Sequence, residues 1–494
     1  MKAREATARL AGFEPDGTAG DATAADQRQS VLTKPPQLQP RAQSRGEATR
    51  ATLLTGPVLS TLLKLASPTV VVLLAQTAVN IAEAYYVGFL GTAALAGVAL
   101  VFPVFMLMTM MSNGGLGSGV SSAVARAVGA GRRQDADALV FHALVLAVVV
   151  GALFTFAALY GGPFMYRALG GHNAALEAAV KYSNYLFAGA IPVWMVNLQA
   201  AALRGSGNVR IPAAVTLLGA LVMIPASPAL IFGLGPLRGL GIAGAGVAFG
   251  LYYCAAMLFL VRYMASGRAG LTLKLVPLQR RLFADILRVG VPTAVNAVLS
   301  NLTVILVTGA VGSFGTTALA AYGIASRLDY VLIPILFGLC TATLTMVGIN
   351  IGAGEIARAR RIAWISVIVG VAITGTIGLT VALYPPLWLN LFSRDAEVLR
   401  EGSIYLRIVA PAYAAYGFGF VIGFAAQGAG HVLWPFVASL TRILIAAGCG
   451  WLAVGYFGGG MTALAGTVAV SMVAYAAICT IVMLSRSVWH PDRS

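Results

Sequence analysis

The sequence predicts an all-α polytopic membrane protein with twelve transmembrane helices in two six-helix lobes, which a pseudo-two-fold axis relates. Its hydrophobic fraction is 59% and its charged fraction only 10%, whereas soluble chains carry about 25% charged residues. Apolar windows of about 20 residues recur, and these are long enough to cross a hydrocarbon core of roughly 30 Å as helices. Residues 87–96 (VGFLGTAALA) and 311–320 (VGSFGTTALA) are identical at seven of ten positions, so the chain contains an internal repeat.

Twelve apolar spans follow residue 52, six in each half of the chain. The spans of the first half are centred near Leu73, Phe105, Val148, Pro192, Ala220 and Gly250. Those of the second half are centred near Val298, Ile333, Gly370, Ala415, Ala446 and Tyr475. Because these runs are long and do not alternate, they predict helices rather than the strands of a membrane barrel.

The spans divide the chain into five segments. Residues 1–52 are polar and mixed in charge, which predicts a disordered N-terminal tail. The first lobe covers residues 53–264 and the second lobe covers residues 286–486. We expect residues 265–285 to be a basic cytoplasmic linker between the lobes, and residues 487–494 to be a C-terminal tail.

The repeat extends well beyond the ten-residue match. The distance along the chain from Pro68 to Pro292 equals the distance between the two copies of that match. The distance from Arg204 to Gln427, each of which is followed by a glycine, is one residue shorter. We call this nearly constant spacing the repeat offset. Since each half contains an even number of spans, both halves begin on the same side of the membrane. The predicted axis therefore lies along the membrane normal, and matched halves with a site between them are typical of secondary transporters.

Basic residues are concentrated in the loops on one side of the predicted bundle. Those that decide the orientation are Arg126, Arg132, Arg133, Arg204, Arg210, Arg358, Arg360 and Arg361. This bias predicts a multi-pass protein of the cell (inner or plasma) membrane with both termini in the cytoplasm. It also accounts for the net charge of +16, so we do not expect nucleic-acid binding, for which a basic groove lined with aromatic side chains is missing.

The sequence has no pattern of an enzyme or of a metal site. The four cysteines are isolated within apolar spans: Cys254, Cys340, Cys449 and Cys479. No CxxC or His/Cys cluster suggests a metal, and no Walker A motif suggests ATP hydrolysis. We therefore expect no metal and no cofactor, and uphill transport would need an ion gradient.

Glu83 is one of two acidic residues that fall inside a span. Gln76, Asn80 and Glu83 share one helix face, because they are four and three residues apart. A buried carboxyl is favoured in its protonated form, so this group could carry a coupling ion, with Gln76 and Asn80 beside it. The alternative is a permanently neutral, structural carboxyl that is hydrogen-bonded to Asn80.

Asp329 is the other intramembrane acid. Arg327 is two residues away and points to a different side of the helix, so it is a poor partner. Asp329 could form a structural ion pair with Arg442 or Arg407, or it could take part in ion coupling. Both interpretations stay open at this point.

The first span of the second half has no acid at the position equivalent to Glu83, but it has a polar stripe. Asn296, Ser300 and Thr303 lie on one face of this span, and Asn301 adjoins them. Such groups could line a substrate cavity, although serine and threonine also bond to their own helix or to neighbouring helices in membranes.

Pro68 and Pro292 occupy equivalent places early in the first span of each half. Proline removes a helix hydrogen bond and permits a bend, so both residues are candidate hinges. Against this, prolines are tolerated in transmembrane helices without any moving role.

The chain resembles the multidrug and toxic compound extrusion (MATE) family. The motifs that carry the resemblance are EAYYVGFLGTAALAGVAL (83–100), ARAVGAGRR (125–133) and LRGSGNVRIP (203–212), together with Pro68 and the second-half partners of these motifs. The resemblance implies two six-helix lobes around a central cavity, and rocking between them in exchange for H⁺ or Na⁺. It also implies that Glu83, where many members have an aspartate, is the ion site.

The departures from the family pattern concern the ion. Many proton-coupled members have N-x-x-x-D-P in the fifth helix, where this chain has Met223 and Ser227 in place of the amide and the acid. We include Ser227 among the candidate cavity residues. With few oxygen ligands left around Glu83, the resemblance favours H⁺ over Na⁺.

The function expected from the sequence is export of amphipathic, cationic small molecules by a secondary antiporter, working as a monomer in the bilayer. The alternative is a flippase or exporter of a lipid-linked saccharide or of a specific metabolite. A channel or a membrane scaffold is a third class, which the repeat and the lone intramembrane carboxylate disfavour.

Overall fold

The protein, described here by a computed structural model, is defined over residues 41–489 apart from Gly235 and Pro236. Within those residues, eleven helices are long and apolar enough to cross a membrane, and one further pair of helices passes the same test together. The predicted count of twelve spans is reached when that pair is taken as one span. The all-α polytopic fold is confirmed.

The first half begins with a helix that precedes the membrane spans. The helices of this half are α1 (Arg41–Thr55), α2 (Val58–Gly88), α3 (Thr92–Gly129), α4 (Arg133–Ala168), α5 (Asn173–Ala188), α6 (Ala190–Gly205), α7 (Arg210–Phe232) and α8 (Ile242–Ala265). A short antiparallel hairpin of β1 (Gly233–Leu234) and β2 (Leu237–Arg238) joins α7 to α8. The pair α5 and α6 is bent by 48° and is the broken span.

The second half repeats this order. Its helices are α9 (Arg280–Gly312), α10 (Thr316–Gly352), α11 (Ile356–Leu383), α12 (Pro386–Leu389), α13 (Ala396–Ala429), α14 (Leu433–Gly455), α15 (Met461–Leu484) and α16 (Arg486–Trp489). Two spans contain a π-helical turn, α3 at Met111–Leu116 and α14 at Leu444–Cys449. These turns lie at different places in the two lobes, so the repeat is not perfect.

Reciprocal contacts between α3 and α10 mark the pseudo-two-fold axis. A Cβ added at Gly129 would clash with the Ile349 backbone, and one at Gly352 would clash with the Arg126 backbone. By the repeat offset, Gly129 is equivalent to Gly352, and Arg126 is equivalent to Ile349. Each contact is therefore the image of the other, as in an isologous interface.

The lobes touch near one end of the molecule, which we call the basic end and define by the loops at 130–132, 206–209, 266–279, 353–355 and 430–432. There Arg126 Nη2 donates to Asp285 Oδ1 at 2.5 Å, and Thr345 Oγ1 donates to the Arg204 carbonyl at 3.1 Å. Asn301 Nδ2 donates to Met110 Sδ at 3.0 Å. Among the hydrogen bonds between the lobes in the described chain, this one lies furthest from the basic end. The hydrogen bonds between the lobes thus lie between the basic end and the middle of the spans, which is the arrangement expected of a cleft that opens toward the opposite end.

Both predicted tails lie partly outside the described residues, and the described part of each is helical. Residues 1–40 are not described, but residues 41–52, expected to be part of the tail, belong to α1. This helix is held in place because Leu53 is buried and Arg50 Nη2 donates to the Gly129 carbonyl at 2.8 Å. At the other end, Trp489 in the expected C-terminal tail is 1% exposed and donates to the Val482 carbonyl.

The linker is shorter than predicted, because α9 already begins at Arg280. Leu282 and Ile286 are buried, which gives this extra turn a packed face. The linker backbone is tied to α4, since the Thr272 N–H donates to Asp137 and the Gln279 N–H donates to His142 Nε2.

Candidate functional site

Glu83 lies inside the first lobe, near the end of α2 that is away from the basic end. Its side chain is 9% exposed, and its Oε1 atom is buried without a hydrogen-bond partner among the described residues. Since a polar atom buried in a bilayer normally has a partner, the Glu83 carboxyl has capacity to spare for a proton or a cation.

The predicted helix face of Gln76, Asn80 and Glu83 does not form one compact cluster. Gln76 lines a separate cavity, two turns or about 10 Å along α2 from Glu83. Asn80 is half-buried, and no hydrogen bond to Glu83 is found in the described part of the chain. The structural alternative for Glu83, which requires that bond, is therefore not supported.

The cavity near Gln76 contains an arginine. It has a volume of about 40 Å³ and is lined chiefly by α2, α3, α6 and α7. Its polar lining residues are Thr69, Gln76, Asn113, Asn197, Arg204 and Thr216. We call it the Arg204 cavity.

The π-helical turn of α3 supplies two of the polar groups around this cavity. Arg204 Nη2 donates to Asn113 Oδ1 at 2.7 Å, and Asn197 Nδ2 donates to Ser112 Oγ at 2.8 Å. A π turn adds a residue to the helix and redirects its side chains, and such turns are frequent at functional sites. No ion pair involves Arg204 within the described residues.

The second lobe has an equivalent but smaller cavity of about 10 Å³. It is lined by Pro292, Thr293, Asn296, Gln427, Val432, Pro435 and Phe436. The repeat offset matches Thr293 to Thr69 and Gln427 to Arg204. The repeat therefore forms the same cavity twice, with an arginine in the first lobe and a glutamine in the second.

Of the predicted polar stripe, Asn296 is the residue that lines this second cavity. Its Oδ1 is buried and has no partner in the described chain. Thr303 Oγ1 bonds to the carbonyl of Leu299 at 2.8 Å in its own helix, and Asn301 bonds to the Ala297 carbonyl at 2.9 Å and reaches Met110. Thr303 thus fits the structural interpretation, whereas Asn296 keeps a free acceptor.

The two other candidate cavity residues lie apart from this pair of cavities. Ser300 is half-buried on α9. Ser227 is 3% exposed on α7, and its Oγ finds no partner among the described groups. Pro68 and Pro292 lie inside α2 and α9, which continue past them without interruption.

Asp329 lies in the second lobe among tyrosines. Its side chain is half-buried on α10. The predicted ion pair is not formed with Arg442 or with Arg407 in the described chain, and the Arg442 guanidinium instead lies 5.1 Å from the centre of the Tyr416 ring. Cation–π contact with the ring holds this arginine beside the carboxylate rather than on it.

The comparison with protein families agrees with this geometry. The sequence profile of the MatE family matches residues 68–229 and 292–452, one segment in each lobe. The chain belongs to the MATE family. As a MATE protein it is a membrane transporter of small molecules.

Several relatives are similar over most of the chain. The FAD transporter of Shewanella oneidensis is 24% identical over 80% of this chain and 87% of its own length. The probable multidrug resistance protein NorM of Thermotoga maritima is 25% identical over 77% of this chain and 82% of its own. The multidrug export protein MepA of Staphylococcus aureus is 21% identical over 76% and 82%.

Solved structures share the fold. A multidrug resistance MATE transporter in an outward-facing conformation superposes with a TM-score of 0.78, at 25% identity over 88% of this chain and 96% of that one. A transporter of the MOP superfamily from Pyrococcus furiosus, described as having a binding pocket of reverse polarity, gives 0.79 with the same identity and coverage.

Sequence reasoning missed Arg204 as a cavity residue. It treated Arg204 as one of the loop charges that set the orientation, because the residue lies next to the turn after α6. The signal that could have found it was the match of Arg204 with Gln427. Because the equivalent residue in the second half is neutral, the packing that the two halves share does not need the charge of Arg204.

Proposed function

We propose that this MATE transporter is a secondary antiporter that exports amphipathic small molecules, cationic ones among them, in exchange for H⁺. The observation that carries the proposal is Glu83, a buried carboxyl with one oxygen that has no partner among the described residues. A carboxyl in that environment can take a proton and thereby lose the free-energy cost of a charge in hydrocarbon. H⁺ fits better than Na⁺, which needs several oxygen ligands that Asn80 and Gln76 do not supply around Glu83.

The transport cycle follows from the two lobes. The hydrogen bonds between the lobes lie in the half of the molecule toward the basic end, so we propose that the cleft is open at the other end. We propose that the basic end faces the cytoplasm, so that this state is outward-facing and Glu83 is on the side from which protons enter. Rocking of the lobes would then break the contacts of Gly129 and Gly352 and open the cleft to the cytoplasm.

The test is proton-driven efflux of a panel of cationic dyes from reconstituted vesicles. We expect Glu83→Gln to lose the dependence of efflux on the pH gradient, because glutamine cannot take up the proton, and Glu83→Asp to keep part of it. Glu177→Gln, which removes an exposed carboxylate from α5, is the matched control. Normal gradient-driven efflux by Glu83→Gln would show that another group carries the proton.

A second candidate function is export of one specific metabolite. It is favoured by the similarity to the FAD transporter of Shewanella oneidensis and by the arginine in the first-lobe cavity, which no cationic drug needs. Uptake of labelled FAD into inverted vesicles, with and without a pH gradient, separates the two candidates. Saturable FAD uptake together with no movement of any dye would favour the metabolite exporter.

A further inference from the structure

Arg204 is a charged side chain of the first lobe that has no carboxylate partner among the described residues. Other arginines around it have carboxylate partners: Arg126 pairs with Asp285, Arg132 with Asp135 and Arg133 with Asp137. In the described chain, Arg204 bonds through its side chain to the neutral amide oxygen of Asn113. A guanidinium has five N–H donors, so most of its donor capacity is available to a ligand.

The equivalent position in the second lobe shows that the fold does not require this charge. Gln427 occupies the place of Arg204 in a cavity with the same threonine and the same proline, Pro435 in place of Pro212. Both lobes pack around these positions in the same way, since Gly205 contacts Ser121 as Gly428 contacts Leu344. The positive charge at this position is thus specific to the first lobe.

The lining of the Arg204 cavity is suited to an anion. It contains amides and hydroxyls from Gln76, Asn113 and Thr69, and no carboxylate lines it within the described residues. Its volume of about 40 Å³ is room for about three water molecules. A terminal carboxylate or phosphate fits such a space, whereas a ring system would have to stay in the cleft outside.

We propose that the Arg204 cavity binds the anionic group, a carboxylate or a phosphate, of a transported amphipathic molecule. Arg204 donates to the anion, Asn113 holds the guanidinium in place, and Gln76 supplies a further amide donor from α2. Guanidinium groups bind carboxylates and phosphates through charge-assisted, often bidentate hydrogen bonds. The site therefore selects substrates that have an acidic group as well as an apolar body.

A purely structural role for Arg204 predicts something different. The residue lies in the last turn of α6, where a cation is favoured by the helix dipole, and its bond to Asn113 could simply fix the π turn of α3. In that case a substitution would weaken folding or all transport alike. It would not change the relative affinity for charged and neutral ligands, so this ratio is the quantity to measure.

The experiment is equilibrium binding of two fluorescent ligands that differ only in a phosphate, riboflavin and riboflavin 5′-phosphate, to the purified full-length protein. We expect the wild type to bind the phosphate ester at least about tenfold more tightly, a typical strength for a charge-assisted hydrogen bond. Arg204→Gln, which copies the second lobe, should reduce the preference to less than about twofold, and Arg204→Lys should keep part of it. Arg210→Gln, at the exposed first residue of α7, should keep all of it.

Inorganic phosphate as a competitor identifies the source of the anion. If it displaces the ester from the wild type but not from Arg204→Gln, the cavity also takes free phosphate. If inorganic phosphate does not displace the ester from the wild type, the cavity binds the anion only when it is attached to the substrate. The absence of any preference in the wild type, or the same preference in Arg204→Gln, would overturn the proposal.

This inference rests on the proposed transport function, but it can fail separately. Binding needs no ion gradient, so a protein with no proton-coupled efflux could still discriminate between the two flavins. Conversely, a protein that exports dyes normally and binds both flavins alike would retain the antiport function and lose the anion site.

Discussion

The two lobes share matched backbone contacts but differ in the charged residues that they carry. The first lobe has Glu83 on its first span and Arg204 beside its cavity, while the second has Asp329 on its second span and Gln427 beside its cavity. The backbone contacts at Gly129 and Gly352 are images of each other.

The tyrosines make the comparison sharper. The repeat offset relates Tyr182 to Tyr405, and both tyrosines are buried. Glu83 and Asp329 lie on different spans of their lobes, so the two acids are not equivalent, although the two tyrosines are. The repeat thus preserves the framework, whereas the charged groups differ between its two copies. We infer that the lobes have different tasks during transport.

The largest expected effect tests whether the two acids are equivalent. Because Glu83 is buried with an Oε1 atom that has no partner among the described residues, whereas Asp329 is only half-buried, we expect Asp329→Asn to reduce gradient-driven efflux by less than about fivefold. Glu83→Gln should reduce it by about 5–150-fold, the usual range of a coupling free energy. Initial efflux rates at matched protein density measure both. Equal losses would mean that the lobes share the coupling and would break the comparison.

Much of the fold could be predicted from the sequence because hydrophobic spans and a repeat are physical patterns that one chain displays by itself. The predicted centre at Pro192 falls on the bent pair α5 and α6, and the pseudo-two-fold axis follows from the repeat offset. The helix α1 was not predicted, because Leu53 is buried only through contact with residues far along the chain, such as Asn350.

The candidate site was only partly accessible from the sequence. Helical spacing placed Gln76 and Glu83 on one face, but it could not show that they open into different spaces. The Arg204 cavity depends on a π turn in α3, which no spacing rule reveals. The ion pair expected for Asp329 is absent from the described chain since Tyr416 offers Arg442 an aromatic face instead.

A smaller effect is expected at the symmetric contacts, where the lobes should behave alike. Gly129→Ala and Gly352→Ala each place a methyl group against a backbone carbonyl of the other lobe. Overpacking of this kind costs about 1–3 kcal/mol, which should shift the population toward the state with the basic end open. Labelling of a cysteine introduced at Ser206 would report the opening.

The control for this pair is Gly323→Ala, on the same helix as Gly352 but with open space around the added methyl group. Gly323→Ala raises the helix propensity as much as the two test substitutions do, and it should not change the labelling rate of the cysteine at position 206. If Gly129→Ala and Gly352→Ala differed strongly from each other, the framework would not be symmetric in function, even though it is symmetric in structure.

The smallest expected effect concerns Asn296, whose equivalent in the first lobe is Val72. A buried acceptor without a partner costs about 1–3 kcal/mol, so Asn296→Val should leave the melting temperature unchanged or raise it. If Asn296 Oδ1 accepts a hydrogen bond from the substrate, the same variant should raise the KM for transport by about threefold, because a natural residue that lowers stability is typically kept for function.

The control is Ser366→Ala, which removes another unpartnered buried oxygen away from both cavities. It should stabilise the protein and leave the KM unchanged. A stabilised Asn296→Val with a normal KM would exclude Asn296 from the substrate site and would leave the second-lobe cavity as packing alone.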